Sequence, residues 1–235
     1  SSHCLLRPLG LRLGEGIMST LLLRLAAPLQ SWGIDSKFDI RRTGREPSKS
    51  GVIGLICAAL GIKRDDDEMV SQLATLRFGV RVDKEGHFVR DFHMVKPKKG
   101  EPYVTNRYYL ADAEFLVGFE SVDEELLKKI EYALLNPVFP LYLGRRSCPP
   151  TGRLCLGIRK LELEEALFEE ALRNESIETV RIVMDAKKGE DGNIVKDLPI
   201  SYNPEHRKHM FRKVTEKYRA VREPLQCHDP MAELG

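Results

Sequence analysis

The stretch Ser19 to Ala27, STLLLRLAA, is an apolar run stopped by Pro28. An apolar run of this length with a proline stop fits a buried central strand. The next segment, Gln30 to Pro47, is a long loop rich in Gly, Asp and Arg. Loops this long without structure of their own are usually functional. Ser48 to Leu60 (SKSGVIGLICAAL) then reads as a helix. Ser48 or Ser50 can serve as its N-cap, and Gly61 stands where a C′ glycine belongs. The helix is apolar nearly all round, so it should be well buried. Gly51 and Gly54 share one face and permit close packing on a sheet.

Further along, Leu76 to Val82 and His87 to Val95 alternate in polarity, as strands do. Lys96 to Gly100 (KPKKG) reads as a turn or exposed tip, and Arg107 to Phe119 as one or two strands. Ser121 to Leu135 reads as a helix opened by a Ser121–Glu124 capping box. Val138 to Leu143 is expected to be a short strand, followed by a loop from Gly144 to Gly152. The resulting order, strand, helix, two strands, helix, strand, is the ferredoxin-like plan shared with RNA recognition motifs. An extra arm interrupts it at about residues 84–107. Beyond it lie an expected strand at Leu154 to Ile158, a helix near Leu163 to Leu172, a strand at Glu178 to Asp185 and a basic segment. The expected fold is α+β, a ferredoxin-like (RRM-like) domain over 18–152 with the inserted arm and a small β-rich extension over 153–235. Residues 1–17 read as an expression scar or an upstream extension before a natural start at Met18.

The net charge is only +2, so a nucleic-acid surface has to come from local clustering of Lys and Arg. Apolar residues at 42% and charged residues at 31% are those of an ordinary globular chain. The cysteines number five, with no CxxC spacing, which argues against a zinc site or a disulfide framework and fits a reducing cytoplasm. No apolar run reaches the length of a membrane span.

Basic clusters do occur. Lys37, Arg41, Arg42, Arg45 and Lys49 lead into a helix start, where free N–H groups also favour phosphate; a solvated loop would carry the same residues. A nucleotide-binding P-loop is excluded there, because Ser48 stands where that motif needs Gly before Lys. Gly144-Arg145-Arg146-Ser147 follows an expected strand; glycine lets backbone approach a ligand, and Arg with Ser can hold successive phosphates. The arm interleaves Arg90, His93, Lys96, Lys98, Lys99 and Arg107 with Phe92, Tyr103, Tyr108 and Tyr109, a mixture suited to single-stranded RNA. The bland alternative is a hairpin whose aromatics pack on the sheet, favoured for Tyr109. The tail carries His206-Arg207-Lys208-His209 with Arg212, Lys213, Lys217, Arg219 and Arg222. No third metal ligand accompanies its histidines. Asp65-Asp66-Asp67-Glu68 reads as a solvated turn, not a magnesium site.

Leu22 to Gly33 (LLRLAAPLQSWG), Thr43 to Gly61 (TGREPSKSGVIGLICAALG) and Tyr142 to Pro149 (YLGRRSCP) resemble the CasD family, the Cas-five subunit of type I-E CRISPR Cascade. Arg90-Asp91-Phe92-His93 also resembles that family's arm. The resemblance spans about Met18 to Leu156. It implies a ferredoxin-like palm with a thumb hairpin, bound to the 5′ handle of the CRISPR RNA and capping the foot of the complex. Its implied partners are that RNA, a Cascade backbone subunit and the Cascade large subunit, with target DNA met only through the assembled complex. No cofactor, metal, membrane or catalytic residue is implied. The implied handle-binding positions are Gln30, Ser31, Trp32, Arg41, Arg42, Arg45, Lys49, Ser50, Arg145, Arg146 and Ser147, with Arg90, His93 and Arg107 from the thumb. Trp32 would stack on a base or serve the core.

Two other readings compete. A type I-C relative would cut precursor RNA without metal, which requires a base for a ribose 2′-OH and an acid for the leaving oxygen. Lys208-His209 is the one adjacent Lys-His pair available for it. A generic RNA-recognition domain should place aromatics on its central strands; Leu21 to Ala26 contains none.

Overall fold

The computed structural model describes residues 18–33, 40–41, 43–96, 101–172 and 177–221. Expectations placed on residues 1–17, Lys37, Arg42, Lys98, Lys99, Arg222 and Cys227, and on the side chains of Arg41 and Tyr103, lie outside the described residues.

The chain runs β1 (Ser19–Ala26), β2 (Leu29–Gln30), β3 (Ile40–Arg41), α1 (Lys49–Leu60), α2 (Asp67–Ala74), β4 (Arg77–Lys84), β5 (His87–Val95), β6 (Tyr103–Ala111), β7 (Glu114–Ser121), α3 (Glu124–Leu135), β8 (Cys155–Arg159), α4 (Leu163–Glu169), β9 (Thr179–Asp185), β10 (Asn193–Ser201) and β11 (Lys208–Ala220). It is an α+β fold whose strands pair antiparallel except for β3, which runs parallel to β6. The main sheet has seven strands in the order β10-β11-β9-β4-β7-β1-β8. A smaller sheet gathers β2, β3 and β5 around β6.

The apolar run is β1, flanked on both sides by β7 and β8. Its leucines split between two cores. Leu21, Leu23 and Leu25 join the cluster that includes Val52, Ile56, Leu127 and Ile130 of α1 and α3. Leu22 joins Leu163 and Leu167 of α4 on the other face. A strand covered on both faces has to be apolar on both, which is why it does not alternate.

Helix α1 starts and stops as expected. The Ser48 hydroxyl accepts from the Gly51 N–H at 3.2 Å, and Gly61 takes the left-handed conformation at φ 74°. Three expectations need correction. No strand forms at 138–143. The Val138 and Phe139 N–H groups donate instead to the Ala59 and Ala58 carbonyls at the end of α1, and β8 is the strand that pairs with β1 on that side. Ser121 does not cap α3, because it is still in β7, paired with Ser19. Asp123 is the cap, its carboxylate accepting from the Leu126 N–H at 3.0 Å. The acidic run at 65–68 opens a further helix, α2, with Asp66 accepting from the Met69 N–H at 3.1 Å. Acids at a helix start are favoured by its dipole.

The basic tail also proves structured. β10 and β11 pair with each other, and β11 pairs with β9, extending the main sheet. His209 therefore lies on a strand, with His206 in the turn before it.

Candidate nucleic-acid interface

A groove of about 950 Å³ runs along the outer face of α1. Ser50, Gly51, Gly54, Leu55 and Ala58 form its floor, and Lys63 and Arg64 stand beyond the helix end. One wall is the 139–146 segment, with Phe139, Tyr142, Arg145 and Arg146. A second stretch of the chain also lines it, with Tyr202, Arg207 and His209. Five cationic side chains border the groove and no carboxylate does. A cleft of one sign between low-dielectric walls focuses its field and attracts polyanions. Among the described residues, none of Lys63, Arg64, Arg146 and Arg207 is paired with a carboxylate. Lys128, Lys187, Lys213 and Lys217 elsewhere on the surface each have one.

The arginine wall is set by backbone. Gly144 has φ 92°, and a Cβ there would sit 1.8 Å from the Ser31 carbonyl oxygen. The Ser31 N–H donates to Leu143 O at 3.0 Å, and Leu143 N–H to Cys148 O at 2.7 Å. The loop thus lies directly against the segment that follows β2. That segment is anchored internally. Trp32 Nε1–H donates to Gln30 Oε1 at 3.0 Å, Gln30 Nε2 donates to Ala113 O at 2.8 Å, and the Trp32 N–H donates to Thr43 Oγ1 at 2.7 Å. Gln30 is 0% and Trp32 1% exposed. The expectation that these two contact a ligand is therefore corrected: their polar atoms are spent inside, and the Trp32 ring packs against Gly51. Ser31 does border the groove.

Tyr109 organises a second group of expected residues. The Arg145 guanidinium stacks 4.6 Å from the centre of its ring. Burial pushes the phenol pKa up, but hydrogen bonding with Ser147 and Arg145, the Arg145 charge and hydrogen bonding with Arg107 outweigh it and leave the pKa lowered. Arg107, Arg145 and Ser147 are thereby drawn together from β6 and the Gly144 loop.

The start of α1 differs from expectation. Lys49 is 3% exposed, and its ammonium pairs with Asp185 at 2.9 Å. Burial lowers its pKa, with Asp185 opposing. Asp197 accepts from the Lys49 N–H at 2.8 Å. Arg212 ties Asp185 and Asp197 together at 2.7 and 2.5 Å. The anion at the helix start is the protein's own Asp197, so Lys49 is a structural ion-pair member, not a phosphate ligand. Ser50 borders the groove, its carbonyl accepting from the Tyr202 hydroxyl.

Other expected residues lie apart. Arg45 borders a separate hollow of about 540 Å³ with Glu85, Arg181, Glu216 and Tyr218. On β5, Arg90 stacks 4.5 Å over Phe92 and donates to Asn106, and His93 meets Asp91 at 2.6 Å; neither borders the groove. Lys63, Arg64 and Tyr202 were invisible to sequence reasoning, since a basic pair after a helix end and an isolated tyrosine carry no distinguishing spacing; Tyr142 opens the YLGRRSCP motif but nothing in it marks that side chain for the groove. Arg207 and His209 stood in the basic tail without an address. Among the described residues no three His, Cys, Asp or Glu side chains converge to hold a metal, and no helix is long and apolar enough to cross a membrane.

A family model described as CRISPR-associated protein, Cas5, matches residues 20–215. The chain is 39% identical over 158 residues to the CRISPR system Cascade subunit CasD of Escherichia coli (strain K12), covering 59% of this chain and 70% of that one. A solved Cas protein shares 42% identity with it, at a TM-score of 0.70 over 86% of this chain and 95% of that chain. A chain of a CRISPR RNA-guided surveillance complex shares 32% identity, at a TM-score of 0.71 over 86% of this chain and 90% of that chain.

Proposed function

Because this chain belongs to the CRISPR-associated Cas5 family, we propose that it is the non-catalytic subunit of a type I-E Cascade that grips the 5′ handle of the CRISPR RNA in the α1 groove. The observation that carries this reading is the groove itself, bordered by five cations and no carboxylate. Arg145 and Arg146 neutralise successive phosphates, and the Gly144 loop brings backbone close to the strand. Bases splay onto the floor made by Gly51, Gly54 and Leu55, beside Phe139 and Tyr142. Ser31, Ser50 and Ser147 supply hydroxyl and backbone hydrogen bonds at the rim.

The strand order β8-β1-β7-β4, with α1 and α3 against one face, supports a ferredoxin-like palm. The β5–β6 hairpin is its thumb, offering Arg90, His93 and Arg107 to the RNA, and Arg41, Arg42 and Arg45 add further phosphate contacts. The similarity to an Escherichia coli protein named a Cascade subunit supports assembly of the chain, in the cytoplasm, into a ribonucleoprotein. The chain caps the foot against the backbone and large subunits and meets target DNA only through them.

The nuclease alternative draws on His209 and Tyr202 both bordering the groove. Against it, the Tyr202 hydroxyl donates to Ser50 O and burial raises its pKa, which suits a clamp better than a proton relay. One experiment separates the readings: the full chain is mixed with end-labelled precursor CRISPR RNA, with and without EDTA, and run on native and denaturing gels. The expected result is a shifted, uncut RNA whose binding falls with a log–log salt slope of about −3.5, from five phosphates on a single strand. Replacing Arg145 and Arg146 together by Ala should abolish most of the shift. Cutting without metal, or a slope near zero, would sink the cap reading.

A further inference from the structure

We infer that the C-terminal strand pair forms the second phosphate-binding wall of the RNA groove, with Arg207 and His209 contacting the RNA backbone and Tyr202 positioning His209; this rests on the proposed RNA-binding function. Arg207 is exposed, and among the described residues it is paired with no carboxylate. It borders the same groove as Arg145 and Arg146, from a separate segment of the chain. His209 borders it too and meets the Tyr202 ring edge-on, with ring centres 6.5 Å apart.

The spacing of the two walls is fixed by α1. On the near side, Phe139 and Val138 are hydrogen-bonded to the last turn of α1. On the far side, the Tyr202 hydroxyl is bonded to the Ser50 carbonyl in its first turn, and Asp197 of β10 accepts from the Lys49 N–H. Arg212 of β11 holds that Asp197. Each wall is therefore clipped to a different end of one helix, and a strand lying along α1 would meet cations from both. A basic turn on a loose tail would be a solvated feature; one clipped across a groove lacking carboxylates has a fixed direction and an anionic ligand to complement.

His209 adds a distinguishing property. Burial lowers its pKa, Arg207 and Lys196 lower it further, and Asp197 opposes them, so the free protein favours the neutral imidazole. A phosphate beside it favours the protonated form, so binding takes up a proton as the pH falls through the acidic side of neutrality.

The test measures affinity of the full chain for RNA carrying the 5′ handle, by fluorescence anisotropy across salt and pH. It compares the wild type with Arg207→Ala, Arg207→Lys, His209→Gln and Tyr202→Phe. Arg207→Ala should weaken binding about fivefold at 0.1 M salt and flatten the slope by about 0.7, the share of one single-strand phosphate contact; Arg207→Lys should restore both. His209→Gln should remove the rise in affinity between pH 7.5 and 5.5. Tyr202→Phe should weaken binding with the salt slope unchanged, as a positioning residue would. If the wild type fails to bind the handle, the underlying reading falls. If the wild type binds and Arg207→Ala keeps both affinity and slope, the second wall is refuted while the first stands.

Discussion

Gly144→Ala tests whether the arginine loop is held by a contact that no side chain can share. The added Cβ would lie 1.8 Å from the Ser31 carbonyl oxygen, whereas real Cβ atoms essentially never come within 3.0 Å. More than an ångström has to be regained. The oxygen cannot give way easily, because Ser31 is bonded to Leu143 and is followed by the buried, doubly anchored Trp32. The loop has to lift instead, losing the 3.0 Å Ser31–Leu143 hydrogen bond, a loss of about 1 kcal/mol. Holding Ala at φ 92° costs a further ~1–3 kcal/mol. The sum, about 2–4 kcal/mol, corresponds to a melting point lower by roughly 5–15 °C for a chain of this size. Lifting the loop also withdraws Arg145 and Arg146, which at about fivefold each is roughly 25-fold in RNA affinity at 0.1 M salt. Gly189→Ala is the matched control. Its φ is 87°, but nothing lies within 4 Å of the added Cβ, so it should show the conformational cost alone and leave RNA binding untouched. Calorimetry and fluorescence anisotropy read the two quantities. If Gly144→Ala melts like Gly189→Ala and binds RNA like the wild type, the close approach does not hold the loop.

Two further outcomes follow from the interior. Asp197→Ala leaves Arg212 short of a partner and the Lys49 N–H without its acceptor; urea unfolding should show a loss of about 3–5 kcal/mol, partly recovered when Arg212 is also replaced by Met. An unchanged midpoint would dismiss the network as a stabilising clasp. The Cys57 thiol, with its pKa pushed up to about 12 by burial and then by the Asp66 charge, should resist iodoacetamide at pH 8 in the native chain and react once urea is added; rapid native alkylation detected by peptide mapping would contradict its burial.

The expected groove residues divide according to what local chemistry can signal. Arg145, Arg146 and Ser147 follow a glycine in a loop, and the glycine already announces an unusual backbone. Gln30, Trp32 and Lys49 stand in an equally suggestive place, yet their side chains turn inward. Whether a polar side chain faces solvent or spends its bonds inside depends on partners such as Ala113 and Asp185, which are distant in the chain. Lys63, Arg64 and Tyr202 carry no local mark at all, because only the packing of α1 against β10 brings them to one cleft.

What the chain by itself determined is whatever depends on short-range periodicity and capping. β1 is legible because both its faces must be apolar, β5 because its residues alternate, and α1 because Ser48 and Gly61 bracket it. Tertiary structure decided the rest. The run at 138–143 has strand-like composition, but its N–H groups found the open carbonyls at the end of α1. The stretch 208–220 reads only as part of a basic segment, yet it is a strand because β9 and β10 supply partners on both sides and Asp185 and Asp197 neutralise Arg212. A backbone hydrogen bond or an ion pair is satisfied by any suitable partner the fold brings near, and the identity of that partner is not written in the neighbouring residues.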